Sequence, residues 1–174
     1  MALTWLFDLD NTLHPASSRV FPYINQQMTA FIMAELGMDE AEAHRLRQHY
    51  WQRYGATLHG LQRHHAVAPK HFLTRTHLLS ALLPLLEKPA GVGQLLRCLP
   101  GRKVIFSNGP KHYVEAVTKK LGLHPHLLAR FGVECLRLRP KPKQEAYLTV
   151  LHRLGVRAVD CVMVEDTVEN LRPA

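Results

Sequence analysis

The stretch Trp5-Leu6-Phe7-Asp8-Leu9-Asp10-Asn11-Thr12-Leu13-His14-Pro15 constrains this chain more than any other. The short apolar run Leu3 to Phe7 suits a strand covered on both faces, as in a parallel sheet with helices on either side. It leads straight into two carboxylates separated by one residue. Residues two apart on an extended chain project to the same side, so Asp8 and Asp10 are predicted to face one small volume beyond the strand's end. Like charges that close raise each other's pKa unless a cation or a shared proton relieves them. Such a pair is costly in a plain scaffold and useful in metal-assisted phosphoryl transfer. A calcium loop also begins Asp-x-Asp, but its sixth position here would be Leu13 rather than Gly, and its twelfth Arg19 rather than Glu. That pattern fails.

After Pro15 the spacing of apolar residues becomes helical and stays so for about seventy residues. Phe21 to Leu36 reads as one helix stopped by Gly37. Asp39 and Glu42 form a capping pair for a second, running to Tyr54 and Gly55. Thr57 is predicted to cap a short third segment, and a further helix is predicted from Pro69 to Leu79. Strand and helix then alternate. A helix over Pro89–Leu99 precedes the strand Lys103–Phe106, which ends at Ser107-Asn108-Gly109. A helix opened by Pro110 and stopped by Gly122 precedes a strand near Phe131–Glu134. A helix over Gln144–Leu154 precedes the strand Ala158–Val164, which runs into Glu165-Asp166. This alternation predicts an α/β fold with a doubly wound, Rossmann-like parallel sheet and a helical insertion after the first strand. The predicted domains are residues 1–14 with 89–174, and residues 15–88.

A content of 47% hydrophobic and 21% charged residues fits a soluble globular chain. No apolar stretch approaches the roughly 20 residues that span a bilayer, and the N-terminus lacks a signal-type pattern. No membrane association is expected, and a cytoplasmic location is the default. Cys98, Cys135 and Cys161 read as reduced core thiols. The formal charge of +8 is spread over scattered basic residues, with no long Lys/Arg run and no base-stacking motif. It suits steering of a small anionic substrate better than specific nucleic-acid binding.

In a doubly wound sheet, ligands bind beyond the carboxyl ends of the strands. Asp8 and Asp10, Ser107 and Asn108, and Glu165 and Asp166 are all predicted at that end, and Arg139-Pro140-Lys141-Pro142 adds a rigidly held lysine. Asp8-x-Asp10-x-Thr12, Ser107-Asn108-Gly109, Lys141-Pro142, and Glu165-Asp166 with Asn170 resemble, in order, the four motifs of the haloacid dehalogenase-like (HAD) phosphatase superfamily. The resemblance covers essentially the whole chain. The stretches DLDNTLHP, VIFSNG, YGATLHGLQRHH, LRPKPKQEAY and MVEDTVENLRPA resemble the pyrimidine 5′-nucleotidase-like branch in particular.

That resemblance implies a phosphoric monoester hydrolase using Mg²⁺. Asp8 would be the nucleophile and Asp10 the general acid and base. Lys141 would bridge the nucleophile and the transferring phosphoryl group, and Ser107 and Asn108 would bind phosphate oxygens. The Asp8 side chain, the Asp10 carbonyl, Asp166 and Glu165 would hold the metal. Asn170 would support the Glu165-Asp166 loop, and Thr12 would bond near Asp8. The helical insertion corresponds to a cap that covers a small substrate, with Arg63 and His64 as candidate substrate contacts. The expected substrate is a small phosphorylated metabolite, in the first instance a pyrimidine nucleoside monophosphate. Another small ester, such as a sugar phosphate or phosphoglycolate, is the alternative, as is a non-catalytic regulatory or binding protein on the same fold. The oligomeric state is not legible. The family pattern continues beyond Arg172-Pro173-Ala174 with a further strand and helix, so a longer natural protein is expected.

Overall fold

The apolar run after the N-terminus forms a strand, β1 (Thr4–Phe7), in a computed structural model that describes residues 3–174. With β2 (Arg102–Phe106), β3 (Ala129–Phe131) and β4 (Cys161–Val164) it makes a four-stranded sheet in the order β3-β2-β1-β4. Every neighbouring pair is parallel. The chain steps from β1 to β2 to β3 on one side and then crosses to β4 on the other. The order therefore reverses at β1, and such a reversal opens a crevice at the strands' carboxyl ends. Phe7 pairs with Ile105 and with Val164, so the three strand ends are nearly level.

Between β1 and β2 the chain is helical. α1 (Val20–Leu36) ends at Gly37 in the left-handed region, as the sequence predicts. α2 (Glu40–Tyr54) starts at a complete capping box formed by Asp39 and Glu42. α3 (Thr57–His65), α4 (Pro69–Thr76) and the single turn α5 (Leu79–Leu82) follow. Thr57 is not the cap of α3: its hydroxyl donates to the Arg47 carbonyl, which ties α3 back to α2. Phe31 and Phe72 meet edge-on at 5.1 Å between α1 and α4. At Gly60 a side chain would fall inside the Tyr50 ring, so a residue without Cβ lets α2 and α3 pack closely.

The remaining helices are α6 (Val92–Cys98), α7 (Lys111–Lys120), which packs on β3, α8 (Gln144–Leu154) and the short α9 (Val168–Leu171). Leu6, Val104 and Phe106 share one face and bury against Leu136 and against Ala146, Tyr147 and Val150 of α8. The helix predicted over Pro69–Leu79 ends at Thr76, and three further elements differ from the sequence reading. The third strand is Ala129–Phe131, and Val133–Leu136 is a 3₁₀ turn rather than its continuation. Ala158–Asp160 is also a 3₁₀ turn, so the last strand begins only at Cys161. The helix expected over Pro89–Leu99 is confined to Val92–Cys98. The cysteines are free thiols as expected, but Cys98 is exposed and the other two are half-buried, so none belongs to the core proper.

The chain divides into two compact units. One runs up to Ser17 and resumes at Leu83–Ala174; the other is Ser18–Leu82. The compact units divide at 17/18 and 82/83, and the sequence reading draws its domains at 14/15 and 88/89. The side-chain oxygen of Asn11 accepts from the N–H groups of Ala16 and Ser17, keeping that segment with the sheet unit. The 3₁₀ turn Leu83–Leu85 packs on α7 and stays there too. No helix among the described residues is long and apolar enough to cross a membrane.

Candidate active site

Each polar group at the carboxyl edge of the sheet is fixed by the backbone that delivers it. The Asp8 N–H donates to the Val164 carbonyl at 2.9 Å, extending the β1–β4 ladder by one residue and setting Asp8 beside Glu165. The Ser107 N–H donates in the same way to Phe131 at 3.0 Å. Beyond Asp8 the chain turns sharply. Asn11 has φ +63, a left-handed conformation that asparagine tolerates better than most residues. Its side chain holds the turn through Ala16 and Ser17, as described above.

Lys141 lies at the centre. Its ammonium donates to Asp8 Oδ1 at 2.7 Å and to Glu165 Oε2 at 2.6 Å, with its side chain fully covered. The same ammonium lies 5.0 Å from the centroid of the Phe106 ring at the end of β2. Asn108 sets the lysine's backbone. Its Oδ1 accepts from the Lys141 N–H at 2.8 Å, and its Nδ2 donates to the Lys141 carbonyl at 3.0 Å. Ser107 is buried, and its hydroxyl oxygen accepts from the Gly109 N–H at 2.9 Å.

Asp10 has two partners that the sequence reading does not assign. Its Oδ1 accepts from the Tyr113 hydroxyl at 2.5 Å and lies 3.1 Å from His14 Nε2. Tyr113 is in the first turn of α7, and its separation of 103 residues from Asp10 hides the contact from any local pattern. The Asp10–His14 spacing of four residues was visible, but only the turn at Asn11 brings the two together. The Thr12 hydroxyl is buried and has no hydrogen-bond partner among the described residues, which corrects the expectation that it bonds near Asp8.

Electrostatics follow from crowding acids at a partly dry edge. Burial pushes Asp8 up to about 6, against the opposing pull of Lys141. Glu165 is also penalised by burial, but the charge and hydrogen bond of Lys141 outweigh it, with a further contribution from Asn170, and its pKa falls. Asp166 rises, through desolvation and through its contact with Glu165. Burial and the neighbouring Asp10 carboxylate push the Tyr113 phenol far up, so it stays protonated and donates.

Asp8, Glu165 and Asp166 can each offer one carboxylate oxygen, all within 4.8 Å of one another. Three hard oxygen donors suit Mg²⁺, whereas Zn²⁺ prefers nitrogen and sulfur. One lysine against three carboxylates leaves two negative charges, which a divalent cation offsets. The donor set therefore fits Mg²⁺. Arg63 and His64 lie on α3, in the helical unit. His64 Nε2 is 2.7 Å from the Tyr54 hydroxyl, and Arg63 lies over the Tyr54 ring at 5.9 Å.

Comparison with known proteins decides the lineage. Residues 4–174 match the family model of the haloacid dehalogenase-like hydrolases. The chain belongs to that family. "Phosphate metabolism protein 8" of Saccharomyces cerevisiae is 30% identical over 129 residues, which is 68% of this chain. The haloacid dehalogenase-like chain spans 40% of the length of that protein. Among solved structures it is similar to the HAD phosphatase of Thermococcus onnurineus, with a TM-score of 0.65 and 21% identity over 98% of this chain and 79% of that one. It is also similar to L-2-haloacid dehalogenase of Xanthobacter autotrophicus, with a TM-score of 0.55 and 19% identity over 94% and 69% of the two chains. At these identities the structural likeness concerns the fold.

Proposed function

We propose that this haloacid dehalogenase-like hydrolase is a phosphoric monoester hydrolase that works through an aspartyl-phosphate on Asp8. The observation that carries the reading is the buried Asp8 carboxylate, held at 2.7 Å by the Lys141 ammonium beside Glu165 and Asp166. Covalent catalysis needs a nucleophile held in one orientation, and phosphoryl transfer needs fixed positive charge around a dianion. In the first step Asp8 attacks phosphorus and the bond to the ester oxygen breaks. Asp10 gives its proton to that leaving oxygen. In the second step Asp10 takes a proton from water as the water oxygen attacks the phosphorus of the aspartyl-phosphate, and Asp8 leaves. Lys141 orients Asp8 and offsets charge on the transferring group, while the Ser107 hydroxyl has a proton to donate to a phosphoryl oxygen. Asn108 acts through Lys141, since its amide is engaged with that residue's backbone. The Asp8 side chain, the Asp10 carbonyl, Asp166 and Glu165 would hold Mg²⁺, which when bound supplies positive charge beside the phosphoryl oxygens.

The helical unit is proposed as a cap, and a pyrimidine nucleoside monophosphate as the substrate. Two features support this: the likeness of YGATLHGLQRHH to the nucleotidase branch, and the aromatic and cationic side chains that this stretch gathers. Tyr50 stacks on His64 with ring centroids 5.5 Å apart, next to Tyr54 and Arg63. The three free thiols fit a reducing compartment, which is the basis for proposing a cytoplasmic location. The test is a panel of purine and pyrimidine monophosphates, sugar phosphates and p-nitrophenyl phosphate, each with Mg²⁺ and with chelator. Activity is expected only with Mg²⁺, highest kcat/KM with pyrimidine monophosphates. Arg63→Ala or His64→Ala should raise KM for the nucleotide by about tenfold and leave p-nitrophenyl phosphate unchanged, because only the larger leaving group reaches a cap. Equal kcat/KM across the panel would remove the nucleotidase reading, and no turnover of any ester would remove the phosphatase reading.

A further inference from the structure

We propose that Tyr113, seconded by His14, is the positioning residue that holds Asp10 for proton transfer; this rests on the reading of Asp10 as general acid and base. Both groups meet the same oxygen, Asp10 Oδ1, at 2.5 Å and 3.1 Å. A carboxylate oxygen only accepts from such partners, so the phenol donates and His14 carries its proton on Nε2. Two donors on one oxygen fix the rotation of the carboxylate. Oδ2 receives neither bond and is the oxygen available to give and take the catalytic proton. Tyr113 and His14 keep their own protons throughout both steps.

The surroundings of Tyr113 are shaped around this contact. The residue is 1% exposed. A Cβ at Gly109 would lie 3.0 Å from the Tyr113 ring and 3.2 Å from the Ser107 hydroxyl oxygen. One glycine thus clears room for the ring and for the serine proposed to bind phosphate. α7 opens directly after Ser107-Asn108-Gly109-Pro110, with Glu134 accepting from the Lys111 N–H at 2.7 Å. The hydroxyl that orients Asp10 therefore comes from the helix that continues the phosphate loop, and the acid and the loop are set as one piece. A tyrosine buried only for packing also seeks an acceptor. The two roles differ in what removal of the hydroxyl does to chemistry.

Tyr113→Phe removes the hydroxyl and keeps the ring. Its burst phase is compared with wild type for an alkyl phosphate, a nucleoside or sugar monophosphate that wild type turns over, and for p-nitrophenyl phosphate. The alkyl ester needs the proton in the transition state, so its cleavage should slow about 10- to 100-fold at unchanged KM. The activated ester should be cleaved nearly as fast as by wild type. In an Asp10→Asn background, Tyr113→Phe should add no further loss. His14→Leu, which leaves α7 untouched, should show the same split at smaller size. In a crystal structure of Tyr113→Phe, the Asp10 carboxylate should be rotated from its wild-type orientation. Equal losses for both esters, an additive loss on Asp10→Asn, or an unmoved carboxylate would each overturn the inference while the phosphatase reading stands. A wild-type protein that cleaves neither ester overturns both.

Discussion

Asn108 shows how a residue's partners can lie far from its motif. In the sequence it sits beside Ser107 and reads as a phosphate donor. In the folded chain both ends of its amide are engaged with the backbone of Lys141, 33 residues on. A local pattern cannot reveal that partner, because the pairing depends on where the Lys141 loop returns to the sheet. The lysine's own place was legible, since prolines on both sides mark a rigid loop and the acids at the strand ends call for a cation. Asn108→Ala should therefore act as a displaced lysine. Small misplacements at a reacting centre cost about 10²-fold, so kcat should fall by roughly that factor with KM little changed. Steady-state kinetics check it, and a rise in KM at constant kcat would return Asn108 to direct phosphate binding.

At the scale of elements, the parts that carry their own punctuation were legible. α2 has its capping box and its glycine stop, and α8 coincides with the predicted Gln144–Leu154. The third strand was displaced because Phe131-Gly132-Val133 is apolar without periodicity, and a short apolar run suits a strand or a turn equally. The glycine at its centre has a tertiary reason. A Cβ on Gly132 would lie 2.5 Å from the Lys111 nitrogen and 2.6 Å from its Cα, with the Gly109 carbonyl at 2.9 Å. All three are backbone atoms and cannot swing aside. Gly132→Ala should force the turn after β3 away from the start of α7, costing about 1–3 kcal/mol by the usual penalty for overpacking. Urea unfolding would register that loss as a lower midpoint at unchanged slope. An unchanged midpoint would show that the two loops are not locked together.

For the whole molecule, the Asp8 carboxylate burdens the fold that sets it beside Glu165 and Asp166. The metal-free pKa of Asp8, about 6, lies above its ordinary value of 3.8. Its contribution to stability is therefore fully present below the ordinary value and is lost as pH rises through about 6. A divalent cation competes with protons for these carboxylates and relieves the burden only where they are ionised. Added Mg²⁺ should thus raise Tm more at about pH 7.5 than at about pH 5, and thermal unfolding with and without chelator measures the difference. An equal or larger shift at the lower pH would argue against Asp8, Glu165 and Asp166 as the ligands. The overall plan, a parallel sheet with acids at its carboxyl edge, was legible because β1, β2 and β4 each run straight into polar residues; the braces on Asp10 and Lys141 were not, because they cross the fold. The most direct test of the central claim is acid quench of the enzyme during turnover of p-nitrophenyl phosphate with Mg²⁺, followed by peptide mass spectrometry. A phosphoryl adduct on the peptide containing Asp8, absent in an inactive Asp8→Asn variant, is the predicted result. Turnover by Asp8→Asn at the wild-type rate, or an adduct on another residue, would contradict the account.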